Sequence, residues 1–218
     1  MQIDMHVLEL LSSKLCHDLV SPVSAINNGV ELIEDIGGGV VDEAMKLIGD
    51  SAQHASHRLK MFRMAYGRSG SEGGLPVRDV KQVAEQYISG GKVTLNWAEG
   101  QLSDSVASQP GYLKVVLNAV ILAEEVLPYG GLITLRPTVD SVLTGCRLEI
   151  VGRNAQLSPQ LAEALDGTAA IQDLTPRSIQ AYITGKFAAH FGMKIKYDQS
   201  IQDRLDLNLF AAEVMAAA

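Results

Sequence analysis

The chain has 218 residues, of which 47% are hydrophobic and 20% charged. This is ordinary globular usage, which excludes a disordered chain and leaves length for one large domain or two small ones. A formal charge of -7 with a pI near 5.2 argues against a nucleic-acid binder, because phosphate-backbone recognition concentrates positive charge. Cys16 and Cys146 form no CxxC pair, so neither a zinc site nor a disulfide framework is expected, and a reducing compartment fits. Met1-Gln2-Ile3-Asp4 carries acid where a signal peptide carries base, and the apolar stretch Val115–Ala123 is broken by Asn118. That stretch falls well short of the roughly 20 residues that span a bilayer. A cytoplasmic protein with no membrane or nucleic-acid partner is expected.

From the amino terminus, Leu8, Leu11, Leu15, Leu19, Val23, Ile26, Val30 and Ile33 recur at three- or four-residue steps, the period of one long amphipathic helix. Gly37-Gly38-Gly39 is expected to end it. The pattern resumes at Val41, Ala44, Ile48, Ala52, Ala55, Leu59, Phe62 and Tyr66, and stops at Gly67 and the Ser69–Gly74 stretch. Residues 1–70 therefore read as an antiparallel helical hairpin. Two helices alone do not enclose a core of this size, so dimerisation into a four-helix bundle is expected. The Gly/Ser-rich segment 69–74 is the expected boundary to a second unit, residues 75–218.

Beyond it the texture changes to mixed helix and strand. Helices are expected from Asp79 to Ser89, Tyr112 to Leu127 and Ser178 to Phe191. Strands are expected at Lys92–Trp97, Leu132–Arg136, Cys146–Val151, Lys194–Tyr197 and Leu205–Phe210, with a hairpin turn over Asp140–Gly145. The whole is predicted as α plus α+β, the second unit having helices on one face of a mostly antiparallel sheet.

His17 lies two residues after Leu15 and two before Leu19, so at 100° per residue it points about 200° from the apolar stripe and faces solvent. Asp18 follows it directly. Pro22 lies inside the same helix, where proline costs roughly 3 kcal/mol, removes one backbone hydrogen bond and offers a local deformation for a docking partner.

Leu15-Cys16-His17-Asp18-Leu19-Val20-Ser21-Pro22-Val23-Ser24-Ala25-Ile26 resembles the phosphoacceptor box of sensor histidine kinases. Its continuation, Ile26-Asn27-Asn28-Gly29-Val30-Glu31-Leu32, resembles the ChpT-type histidine phosphotransferases of alphaproteobacterial phosphorelays. The resemblance implies that His17 accepts a phosphoryl group and that Asp18 takes a hydrogen bond from its other ring nitrogen. Imidazole suits this work, because a neutral ring nitrogen attacks phosphorus and yields a phosphoramidate that can pass the group on. Ser21 occupies the position where some kinases of this type carry a water-orienting residue. Arg58, Lys60 and Arg63 of the second helix are candidates for steering an acidic partner. His54 and His57 read as a solvated face, and His190, before Phe191 at a helix end, as structural.

The second unit resembles the ATP-binding module of the same kinases at Leu113–Asn118 and Pro128–Leu135. Three of that module's requirements fail. Leu122 stands where the module has its magnesium-coordinating asparagine, and leucine offers no oxygen to a hard cation. Gly152 or Arg153 replaces the aspartate that accepts from adenine, and Leu174–Ile179 contains no glycine for a phosphate loop. A degenerate ATPase-like α/β sandwich is expected, binding no cofactor or metal, with Mg2+ supplied by the partner receiver domain. The expected function is a phosphorelay intermediate. His17 accepts phosphate from the receiver domain of a hybrid histidine kinase and passes it to response-regulator aspartates. The competing readings are an autokinase with an atypical nucleotide pocket and a receiver-binding scaffold that carries no phosphate.

Overall fold

The structure, a computed structural model, describes residues 4–36, 41–68, 75–140 and 143–211. Two long helices, α1 (Met5–Ile36) and α2 (Val41–Tyr66), form the expected hairpin. The glycines expected to end α1 and the Ser69–Gly74 boundary lie outside the described residues. Then follow α3 (Val77–Ile88), β1 (Val93–Asn96), a short α4 (Asp104–Ala107), α5 (Tyr112–Glu125), β2 (Gly131–Asp140), β3 (Leu143–Val151), α6 (Pro159–Asp166), α7 (Ile179–His190), β4 (Lys194–Asp198) and β5 (Arg204–Phe210). The sheet order is β1-β2-β3-β5-β4, with β1 and β2 parallel and every other pair antiparallel. No helix among the described residues is long and apolar enough to cross a membrane.

Strand alternation gives the sheet two unlike faces. Ile133, Leu135, Leu148, Ile150, Leu205, Leu207 and Leu209 point into the core, while the opposite face carries Arg136, Arg147, Glu149, Arg204 and Asp206. Arg204 pairs there with Asp206 at 2.8 Å and with Glu149 at 3.0 Å. α5 is buried along nearly its whole length between the sheet and its neighbours, which explains its almost uninterrupted apolar sequence. Its one buried amide, Asn118, donates to the carbonyl oxygens of Ala65 and Lys114, both at 2.9 Å. Gln180 of α7 donates to Asn118 Oδ1 at 3.2 Å and accepts from Tyr66 Oη at 2.6 Å. This satisfied polar cluster ties the end of α2 to α5 and α7. The hydrophobic core runs through the same junction, joining Met61, Phe62 and Ala65 of α2 to α5 and α7, with Leu11, Leu15 and Leu19 of α1 packed against it.

The apolar stripes of α1 and α2 differ from expectation. Leu8, Val23 and Val30 of α1 are exposed, as is Leu59 of α2. The seam of the hairpin instead uses Pro22, which is buried, and Gly29. A side chain at Gly29 would meet Ile48 Cγ1 at 2.6 Å, so the missing Cβ is what lets α1 and α2 close upon one another. α6, in a stretch where no element was expected, carries its own signals. Ser158 accepts from the Leu161 amide, Pro159 opens the helix, and Gly167 leaves it at φ 73°.

At the β1–β2 junction, Gly130 adopts φ 89°, and a Cβ there would lie 2.5 Å from the Lys92 carbonyl oxygen. Gly152 comes equally close to the Gly130 carbonyl, at 2.6 Å from the Cβ it lacks. Three backbone segments thus meet where only glycine fits.

Candidate functional site

His17 projects from the middle of α1 with its side chain 89% exposed, as the spacing requires. Its Nδ1 lies 3.4 Å from Asp18 Oδ1, which leaves Nε2 directed to solvent. The other carboxylate oxygen of Asp18 faces inward. Lys14 Nζ, one helical turn earlier, donates to Asp18 Oδ2 at 3.1 Å, and Arg58 Nη1 of α2 stands 3.8 Å from the same oxygen. α1 runs unbroken through Pro22. A proline there deletes the bond to the carbonyl of the residue four earlier, which is Asp18.

The α+β unit reaches this site through the last turn of α5. Glu125 forms an ion pair with Lys14, and Glu124 Oε1 lies 3.6 Å from Arg58 Nη2. Tyr87 of α3 donates its hydroxyl to Glu124 Oε2 at 2.6 Å, while the Arg58 guanidinium stacks over the Tyr87 ring at 5.2 Å from its centroid. Lys14, Asp18, Arg58, Tyr87, Glu124 and Glu125 line a cavity of about 400 Å³ on the inner side of Asp18, the residue next to His17.

Residues 77–203 match the family model for the histidine phosphotransferase C-terminal domain. The chain is 33% identical, over 89% of its length and 90% of the relative's, to the protein phosphotransferase ChpT of Brucella abortus (strain 2308). The chain belongs to the histidine phosphotransferase family. It is also similar to a solved bacterial phosphotransferase, with a TM-score of 0.77 and 30% identity over 96% of this chain and 98% of that one. The family that the His17 box implied is borne out, and so is a helical hairpin followed by an α+β unit.

Among the other sequence candidates of this histidine phosphotransferase, Ser21, Lys60 and Arg63 are exposed. Arg58 is not a free steering charge, because its guanidinium is held between Asp18, Glu124 and Tyr87. His57 is a correction. Expected on a solvated face, it is only 9% exposed, and it borders a cavity with His54 and with Ser89 and Gly90 just beyond α3. His190 stacks edge-on against Phe191 at 4.8 Å. Lys14, Tyr87, Glu124 and Glu125 were missed by the sequence reading. Lys14 alone left a local signal, its i,i+4 spacing to Asp18.

The electrostatics of the pocket follow from burial against pairing. Burial pushes the Glu125 carboxyl up to about 7, and the adjacent Lys14 ammonium only partly offsets it. Burial also acts against the charged form of Lys14, but Glu125 and Asp18 together outweigh it and hold the ammonium above its ordinary value. The two partners thus shift unequally, since Lys14 faces two carboxylates and Glu125 faces one ammonium.

A carboxyl raised from 4.5 to about 7 on folding contributes stability below the lower value, and that contribution is lost as pH rises through the upper one. Relative to Glu125→Gln, the wild-type chain is therefore expected to lose about 1–2 kcal/mol between pH 4.5 and 7, a figure discounted for the partial exposure of the side chain. Thermal denaturation of both proteins across that range measures it. Parallel pH profiles would show that Glu125 titrates normally.

Proposed function

We propose that this chain is a phosphorelay intermediate in which His17 accepts a phosphoryl group from the receiver domain of a hybrid histidine kinase and delivers it to response-regulator aspartates. The observation that carries the reading is the pairing of an open His17 Nε2 with an Asp18-facing Nδ1 on an exposed helix. The Nε2 lone pair forms the new N–P bond as the P–O bond of the receiver's acyl phosphate breaks. The electron pair leaves with the aspartate carboxylate. Positive charge that develops on the ring is shared through Nδ1–H with Asp18, and the donor's own magnesium neutralises the phosphoryl oxygens. Delivery is the reverse of these steps on a second receiver.

The charging phosphate comes from another protein in this reading, because the ATPase-like unit does not fit a magnesium nucleotide. Leu122 is fully buried in the core and has no oxygen donor. Gly152 is claimed by the three-backbone junction, and Arg153 lies over the Tyr129 ring at 4.7 Å. Ahead of α7, Thr175 and Ser178 hydrogen-bond to one another and no glycine frees backbone amides for phosphate.

The working unit is a homodimer. Val20, Val23 and Val30 are respectively 60%, 47% and 43% exposed, and at 100° per residue they lie within about 80° of arc on α1. Met45 and Leu59 of α2 are likewise exposed. Such residues at heptad-like spacing on a helical hairpin are what a four-helix bundle of two chains buries.

Labelled phosphate is expected to appear on the chain when it is mixed with a phosphorylated hybrid-kinase receiver, and to leave it when a response-regulator receiver is added. A chain that stays unlabelled by every receiver it binds would instead be a scaffold.

A further inference from the structure

Resting on the reading of His17 and Asp18 as the reacting pair, we propose that Lys14, anchored by Glu125 of the α+β unit, is a positioning residue that keeps Asp18 turned toward His17. The ATPase-like unit then takes part in phosphotransfer by bracing the acceptor site from behind.

Asp18 has two carboxylate oxygens with different duties. Oδ1 faces His17 Nδ1, and Oδ2 receives the Lys14 ammonium at 3.1 Å, with Arg58 3.8 Å away. An aspartate on an exposed helix face ordinarily samples several χ1 and χ2 angles, and each departure from this one removes the acceptor from the imidazole. Lys14 stops that motion only if it is itself held. Glu125 and Asp18 clasp the same ammonium from opposite units of the fold, and the lysine side chain is almost wholly buried. A lysine tied at one end only would lose rotamer entropy for each contact and contribute little.

The consequence is tautomeric. With Asp18 Oδ1 fixed as acceptor, the neutral imidazole carries its proton on Nδ1, and its lone pair sits on Nε2, the nitrogen open to an incoming receiver. Without Lys14, only the longer Arg58 contact at 3.8 Å holds Asp18 Oδ2 from behind, the carboxylate turns away from His17 more often, and the proton distributes between both nitrogens. A share of the chains then presents an N–H where the nucleophile is needed.

The test uses the full-length chain with nitrogen-15-labelled histidine. Wild-type protein is expected to show His17 chiefly as the Nδ1–H tautomer. Lys14→Met is expected to raise the Nε2–H share and to slow phosphate acceptance by about 3- to 30-fold, and Lys14→Arg, which keeps a cation, to restore both. Should the apolar tip unfold the chain, Lys14→Gln gives the same readout. Glu125→Ala, which frees the far end of the lysine, is expected to move both quantities the same way by a smaller amount. A Lys14→Met chain that matches wild type in tautomer and rate overturns the proposal, and so does one that is slower with its tautomer unchanged. Label that persists on His17→Ala in the same assay would sink the underlying assignment of the acceptor instead.

Discussion

Replacing His17 with alanine is expected to lower phosphoryl transfer to the chain by about a thousandfold or more, to the background of the assay. The effect should be this large because no neighbouring group substitutes. Asp18 is engaged by Lys14 and Arg58, and Cys16, though exposed, lacks the Asp18-facing nitrogen that sets up the imidazole. His54 and His57 lie on α2 beside the end of α3, in a different cavity from the one on the inner side of Asp18. The fold should be untouched, since the side chain is 89% exposed and its polar contact is with the adjacent aspartate. Circular dichroism and melting temperature therefore check the variant, and the transfer rate reads the chemistry. An alanine variant labelled at an appreciable fraction of the wild-type rate would place the acceptor elsewhere.

The second large effect concerns assembly. Val23→Asp is expected to convert the proposed homodimer to a monomer, raising the dissociation constant by about a thousandfold or more. Val23 lies on the exposed arc of α1 between Val20 and Val30, so in a four-helix bundle it is covered by the second chain. A two-fold assembly carries each substitution twice. Each unpaired carboxylate buried at such a seam costs about 2–5 kcal/mol, and about 4 kcal/mol for the pair already corresponds to that factor. The monomer itself should remain folded, because Val23 does not contribute to the core shared by α2, α5 and α7. Light scattering of both proteins across a concentration series measures the change. A wild-type chain that is monomeric at all concentrations would refute the dimer outright.

How much of this was legible in the sequence depends on the range over which each decision is made. His17's exposure needed only its spacing from Leu15 and Leu19, and it holds. The strands of the second unit fall where β-branched and aliphatic runs lie between Gly and Pro signals, and α5 begins at Tyr112 as read. The apolar stripe of α1 was overdrawn for a physical reason. Its residues serve two seams, one toward α2 through Pro22 and Gly29 and one left open at Val20, Val23 and Val30. A single hydrophobic period does not separate two adjacent seams.

The support behind Asp18 was not legible because its parts are remote. Lys14 and Glu125 are separated by 111 positions (125 minus 14), and Arg58 meets Tyr87 and Glu124 only because α3 and α5 pack against α2. Nothing local distinguishes such charges from a solvated helix face. His57 was misread for the same reason, since α2 alone does not reveal that Ser89 and Gly90, just beyond α3, border the same cavity.

The expectation is that His17 is charged by another protein's phospho-aspartate and not by nucleotide held in the α+β unit. It is tested most directly by offering the full-length chain two labelled donors in parallel, a phosphorylated hybrid-kinase receiver and ATP with magnesium. Label is expected on His17 from the receiver and none from ATP. Labelling of His17 by ATP alone would contradict it.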